Sequence, residues 1–241
     1  MRPLKFHPIL KQTLWGGERI IPYKELASGL SRVGESWELS GMPGSESVVA
    51  EGPWAGSTLS ELIGRFGAEL LGKANYARFG QEFPLLVKFI DAREDLSIQV
   101  HPDDELARKR HGKSGKCEMW YVLEAEPGAS LLTGFSRPIA PAEYERRVAD
   151  NTLTDVLNRQ AIASGDVFYL PAGRVHSIGK GSFIVEIQQS SDITYRIYDF
   201  DRRDAAGNSR ELHTELAREA IDFESSENSR ITYAPENNQE V

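Results

Sequence analysis

Residues 165–176 read G-D-V-F-Y-L-P-A-G-R-V-H. Val167 to Leu170 form a short apolar and aromatic run, which suits a strand better than a core helix. Pro-Ala-Gly then breaks it. The stretch predicts a strand over 166–171 and a turn that delivers His176 beyond it.

Runs of the same texture recur along the chain, at 96–101, 117–125, 129–134, 182–189 and 193–199. Another, P-L-L-V-K-F-I-D-A, follows Phe83. The first fifty residues, with W-G-G at 15–17 and G-E-S-W-E-L-S at 34–40, read as irregular β-structure. Two helical insertions interrupt the strands. In residues 58–72, Leu59, Leu62, Ile63, Phe66, Leu70 and Leu71 fall at helical spacing, with Thr58 or Ser60 as the cap. From Pro141 to about Gln160, Tyr144, Val148, Leu153, Val156 and Leu157 supply an apolar side, and Pro141 suits a first turn. Many short strands between Gly and Pro turns predict a mostly β protein, an antiparallel barrel or sandwich. Residues 1–223 read as one domain with helical insertions, and residues 224–241 as a polar, disordered tail.

Composition narrows the function. The chain has 241 residues, 40% of them hydrophobic, enough for an ordinary core. A formal net charge of −8 argues against duplex nucleic acid as a partner, since affinity for phosphate backbones comes from clustered Lys and Arg. The single cysteine, Cys117, excludes an internal disulfide and fits a reducing compartment. No segment has the apolar length of a signal peptide or a membrane span, so a cytoplasmic location without a membrane partner is expected. The oligomeric state stays open.

Four segments place polar groups where a β interior should be apolar. In S-I-Q-V-H-P-D-D (97–104), Gln99 and His101 share one face of an extended chain. In K-C-E-M-W-Y-V-L (116–123), Lys116, Glu118 and Trp120 share a face. The third segment delivers His176. In E-I-Q-Q-S-S-D-I-T-Y-R-I-Y (186–198), a regular strand would align Asp192, Thr194 and Arg196. Two imidazoles, a carboxylate and an amide oxygen make a reasonable set of ligands for a borderline divalent ion such as Zn²⁺.

Gly165, Pro171, Gly173 and His176 are spaced as in the second cupin motif, although Lys180 stands where Asn often closes it. With Q-V-H-P at 99–102, K-C-E-M-W-Y at 116–121, S-S-D-I-T-Y-R at 190–196 and the amino-terminal W-G-G and G-E-S-W-E, the chain resembles the class I mannose-6-phosphate isomerases of the cupin superfamily. The resemblance runs from about residue 3 to residue 223. It implies a cupin-type jelly-roll β-barrel and a zinc-dependent aldose–ketose isomerase acting on a small sugar phosphate. By that resemblance Gln99, His101, Glu118 and His176 bind one Zn²⁺ per chain, while Lys116, Asp192 and Arg196 are catalytic. Longer relatives continue into a second barrel after the stretch resembling E-L-H-T-E-L-A-R-E-A-I-D-F (211–223), and that barrel is expected to be absent or much reduced here.

Isomerisation through a cis-enediol needs a base and a stabiliser for charge on two adjacent oxygens, for which the fork of Arg196 is suited. Lys116, Asp192 and Glu186 are the candidates for the base. For substrate binding, Lys113 and Ser114 in the stretch K-R-H-G-K-S-G-K (109–116) read as a flexible oxyanion loop, with Glu186 as a further contact and Lys88 and Arg174 as further cations. Two alternatives stay open: a metal cupin of another class, such as an Fe²⁺ dioxygenase, and a non-catalytic cupin that binds a sugar phosphate.

Overall fold

A computed structural model describes residues 3–224 and 228–234. The strands are β1 (Ile9–Gly17), β2 (Val33–Ser40), β3 (Leu85–Asp91), β4 (Ile98–Val100), β5 (Glu118–Ala125), β6 (Ser130–Phe135), β7 (Leu157–Ala161), β8 (Val167–Leu170), β9 (His176–Ile178), β10 (Ser182–Gln189), β11 (Tyr195–Tyr198) and β12 (Arg230–Ile231). They form a seven-stranded sheet in the order β1-β2-β3-β10-β5-β8-β12 and a five-stranded sheet in the order β11-β4-β9-β6-β7. Each pairing is antiparallel. The architecture is the mostly β jelly roll expected from the sequence.

Side-chain alternation sets what lies between the sheets. Along β5, Glu118, Trp120 and Val122 are buried while Tyr121 is exposed on the opposite face. Trp120, Phe168, Leu170 and Ile184 of the larger sheet pack with Leu131 and Ile178 of the smaller one in a single apolar cluster. The smaller sheet is covered on its other side. There Ile98, Val100, Phe135, Tyr195 and Ile197 pack with Tyr144 of the helix Pro141–Ala149 and Ala217 of the helix Thr214–Ala220. Its outward residues therefore bury apolar surface against helices, and Gln99, between Ile98 and Val100, is turned the other way.

Three expectations shift. The second insertion is a helix only over Pro141–Ala149; a 3₁₀ turn, Leu153–Val156, and then β7 follow. Asn151 takes a left-handed φ of 55°, which ends the helix, and Leu153, Val156 and Leu157 reach the core from a turn and a strand. The first insertion extends past 72, since a further helix spans Lys73–Phe79. Third, part of the stretch read as a free polar tail is a paired edge strand, β12 against β8. The remainder of that tail at 225–227 and 235–241 lies outside the described residues. Among the described residues no helix is long and apolar enough to cross a membrane.

Thr58 caps the helix Leu59–Phe66. Its hydroxyl accepts from the Glu61 amide at 3.1 Å, and the Glu61 carboxylate accepts from the Thr58 amide at 2.8 Å. Thr58→Ala should lower unfolding free energy in urea by about 1 kcal/mol, and Thr58→Ser should restore most of it, because the loss lies in one orphaned amide.

Candidate metal centre and active site

The two sheets bring the interior polar residues together. β4 ends just before His101, and Gln99 lies opposite His176 in the β4–β9 pair. Glu118 opens β5 on the facing sheet. Glu118 Oε1 lies 3.1 Å from His101 Nε2, and Oε2 lies 3.5 Å from His176 Nε2. Gln99 Nε2 is 3.3 Å from the same His176 nitrogen. His101, Glu118 and His176 are each at most 2% exposed. Trp120 forms a wall, its ring edge-on to His176 at 5.4 Å.

Backbone carbonyls orient both imidazoles. His101 Nδ1 lies 2.8 Å from the Ile193 carbonyl, and His176 Nδ1 lies 2.8 Å from the Arg174 carbonyl. A carbonyl only accepts, so each Nδ1 carries the proton and each Nε2 presents a lone pair. Gly173, with φ of 86°, ties the turn before His176 to the end of β4 by donating its amide to the His101 carbonyl at 2.9 Å. A Cβ there would stand 3.1 Å from the Ala220 carbonyl oxygen. Both the left-handed backbone and the close approach call for glycine.

The electrostatics favour a cation. Burial pushes His101 down to about 3, helped by the Lys116 ammonium, and burial lowers His176 as well. Both rings are neutral at pH 7. Burial alone would raise Glu118, but the Lys116 ammonium at 3.0 Å holds it well below the usual carboxylate range. His101 Nε2 and both Glu118 oxygens are buried yet make no hydrogen bond among the described residues. Two imidazole nitrogens and a carboxylate whose donor atoms lie within 4.8 Å of one another fit a divalent metal. A half-turn of the Gln99 amide would add its oxygen.

Around this group the inner face of the larger sheet is charged. Register places Glu186 opposite both Lys88 and Trp120, and Gln188 opposite Glu118. Glu186 receives the Trp120 indole N–H at 2.9 Å and the Lys88 ammonium at 2.8 Å. Burial and the negative Glu118 raise Glu186 above an ordinary carboxylate, against the pull of Lys88 and Lys116. Lys88 also lies 3.5 Å from Glu35. That Lys88–Glu35 link was not anticipated; the only signal was Lys88 inside an apolar strand.

The remaining expected residues divide. Arg196 is half-buried in β11 directly opposite Gln99, so the two share the inward face. Its Nη1 donates to the Glu211 carbonyl at 3.0 Å, and its Nε makes no hydrogen bond among the described residues. Asp192 is not aligned with it. β11 starts only at Tyr195, and Asp192 sits on the preceding loop, 52% exposed and 2.8 Å from Lys113. The Ile193 carbonyl is taken up by His101 Nδ1 at 2.8 Å, and strand pairing resumes only at Tyr195, opposite Val100. The basic stretch 109–116 is loop only in its second half, because Lys109 to His111 end the helix Asp104–His111, stopped by left-handed Gly112. Lys113 and Ser114 are exposed, and the Ser114 carbonyl accepts from Ser191 at 2.9 Å. Arg174 is buried and donates to Ser229 at 2.9 Å.

Residues 4–135 match the family of phosphomannose isomerase type I catalytic domains. The probable mannose-6-phosphate isomerase GmuF of Bacillus subtilis is 39% identical over 220 residues, which cover 91% of this chain and 68% of that protein. The mannose-6-phosphate isomerase ManA of the same organism is 39% identical over 224 residues, 92% of this chain and 69% of ManA. The crystal structure of the Bacillus subtilis mannose 6-phosphate isomerase superposes with a TM-score of 0.85 at 35% identity, covering 92% of this chain and 69% of the other. With these matches reaching the interior residues from Gln99 to Arg196 in one cupin-type fold, the chain belongs to the type I phosphomannose isomerase family.

Proposed function

We propose that this chain interconverts mannose 6-phosphate and fructose 6-phosphate through a cis-enediol in the cytoplasm. Residues 1–223 form the catalytic domain, and Gln99, His101, Glu118 and His176 hold one Zn²⁺. The supporting observation is the convergence of His101 Nε2, His176 Nε2 and the Glu118 carboxylate at a buried site, where His101 Nε2 and both Glu118 oxygens make no hydrogen bond among the described residues. Bound there, Zn²⁺ would supply positive charge to polarise the substrate oxygens.

The chain's own groups divide the remaining work. Moving a proton between C1 and C2 needs a base, and Glu186 and Lys116 are the interior candidates. A carboxyl raised by burial, as Glu186 is, takes and returns a proton more evenly near neutral pH than an ordinary one. Asp192 would enter only from its surface loop. Arg196 faces the same interior as Gln99, and its fork of donors can bridge both oxygens of an enediolate. Lys113 and Ser114, exposed at the start of the segment leading to Lys116, would take the phosphate, with Lys113 leaving Asp192 to do so. Lys88 is committed to Glu186 and Glu35 and would act on the substrate only through them.

A coupled assay with mannose 6-phosphate, run beside elemental analysis of the purified protein, tests the whole reading; zinc-loaded protein without turnover would overturn it. His101→Ala or His176→Ala should strip the metal and abolish turnover while the fold survives, as circular dichroism would check. Metal affinity should also resist acid. Two imidazoles of ordinary pKa, about 6.5, would cost a two-ring site up to about 100-fold in affinity per pH unit below that value. His101 and His176 are both lowered, so protons begin to compete only at more acid pH, and the fall in Zn²⁺ affinity, measured by chelator competition, should set in at lower pH than for a site of two ordinary imidazoles. Arg196→Ala should lower kcat by about 10²–10³ with a smaller effect on KM, the range for removing one preorganised charge-stabilising donor. Arg196→Lys should recover little, because one ammonium cannot span two oxygens.

A further inference from the structure

His176 reaches the pocket at the end of β8 and the Pro171–Gly173 turn, and one distant stretch grips that whole run. Arg230 and Ile231 pair with Phe168 and Val167. The Tyr169 amide donates to the Ser229 carbonyl at 2.8 Å. The Arg230 guanidinium donates to Asp166 Oδ1 at 2.9 Å and to the Ala161 carbonyl, and lies over the Phe168 ring at 5.1 Å. The Tyr233 hydroxyl donates to the Gly165 carbonyl at 2.9 Å. Ser229, 4% exposed, accepts from the Arg174 guanidinium at 2.9 Å.

These contacts are polar and aimed at residues 161–174. They bury little apolar surface, since Ile231 and Tyr233 are 41% and 47% exposed. A segment that adds so little to the core contributes little to global stability. Arg174 joins the two ends of the arrangement: its side chain holds Ser229, and its carbonyl accepts the His176 Nδ1–H that sets the ring's direction. A backbone shift at Arg174 would swing the His176 Nε2 lone pair off its line.

We infer that residues 228–234 are a brace for the metal centre, with Ser229 and Arg230 as positioning residues that act on His176 through Arg174 and β8. The inference rests on the proposed metal site. Partners that orient a ligating histidine typically change metal affinity by about 10–100-fold when removed. The full chain carrying Ser229→Ala and Arg230→Ala together, stripped of metal and titrated with Zn²⁺ against a chromophoric chelator, should bind about tenfold more weakly than the parent. Its Co²⁺ form should show an altered visible absorption band, which reports the ligand geometry, while the thermal midpoint of the metal-free protein moves little. Ser229→Thr, which keeps the hydroxyl, should bind like the parent. Parent-like Zn²⁺ affinity and Co²⁺ spectrum in the double variant would overturn the brace alone. So would a weaker affinity accompanied by an unchanged spectrum and a large fall in the metal-free midpoint, which would make the segment merely structural. A parent chain that failed to bind Zn²⁺ at all would overturn the metal site and the brace with it.

Discussion

A carboxylate sealed between two sheets is the constraint around which this protein is arranged. Glu118 is 1% exposed, and neither of its oxygens makes a hydrogen bond among the described residues. Removing such a charge from water is costly unless positive charge comes close. Lys116, two residues earlier on the same face of the chain, supplies part of it. The convergent lone pairs of His101 and His176 mark where a further cation would complete it. Deleting Glu118 would reverse the problem and leave a buried lysine without its partner.

Register turns this local arrangement into a functional interior. Because facing residues in an antiparallel ladder project to the same side, one choice of register places Glu118 beside Gln188, Trp120 beside Glu186, and Glu186 beside Lys88. A slip by one residue would send all of these to the outer face and turn Met119, Tyr121, Val185 and Ile187 inward. Trp120 and Phe168 resist that slip, since both are fully buried in the cluster between the sheets. The same large side chains that stabilise the fold thus hold the charged groups in place.

Much of this was legible in the sequence because alternation and turn chemistry are local. The i, i+2 spacing of Gln99 with His101 and of Lys116 with Glu118 correctly put each pair in one interior, and Pro171-Ala172-Gly173 correctly announced the turn before His176. Periodicity failed where a long-range contact decides the backbone. Leu153, Val156 and Leu157 fit a helical stripe, but the core reaches them through a 3₁₀ turn and β7. Asp192 looked aligned with Arg196, but strand pairing resumes only at Tyr195, and the Ile193 carbonyl is taken up by His101, 92 residues away along the chain. The Ser229 to Tyr233 stretch is polar and aperiodic, and its pairing with β8 depends on hydrogen bonds that composition does not register.

The link from the Gly173 amide to the His101 carbonyl bears on how the protein is made. It joins a turn following one sheet to the end of a strand in the other, while Glu118 comes from a third place in the chain. Gln99, His101 and His176 belong to the smaller sheet or its strand ends and Glu118 to the larger one, so a chain with only one sheet formed has an incomplete cluster, and closing such distant contacts is slow relative to helix formation. Assembly of the full cluster therefore belongs to the end of folding rather than its beginning. An ion held by all of these groups would report that both sheets had docked in register.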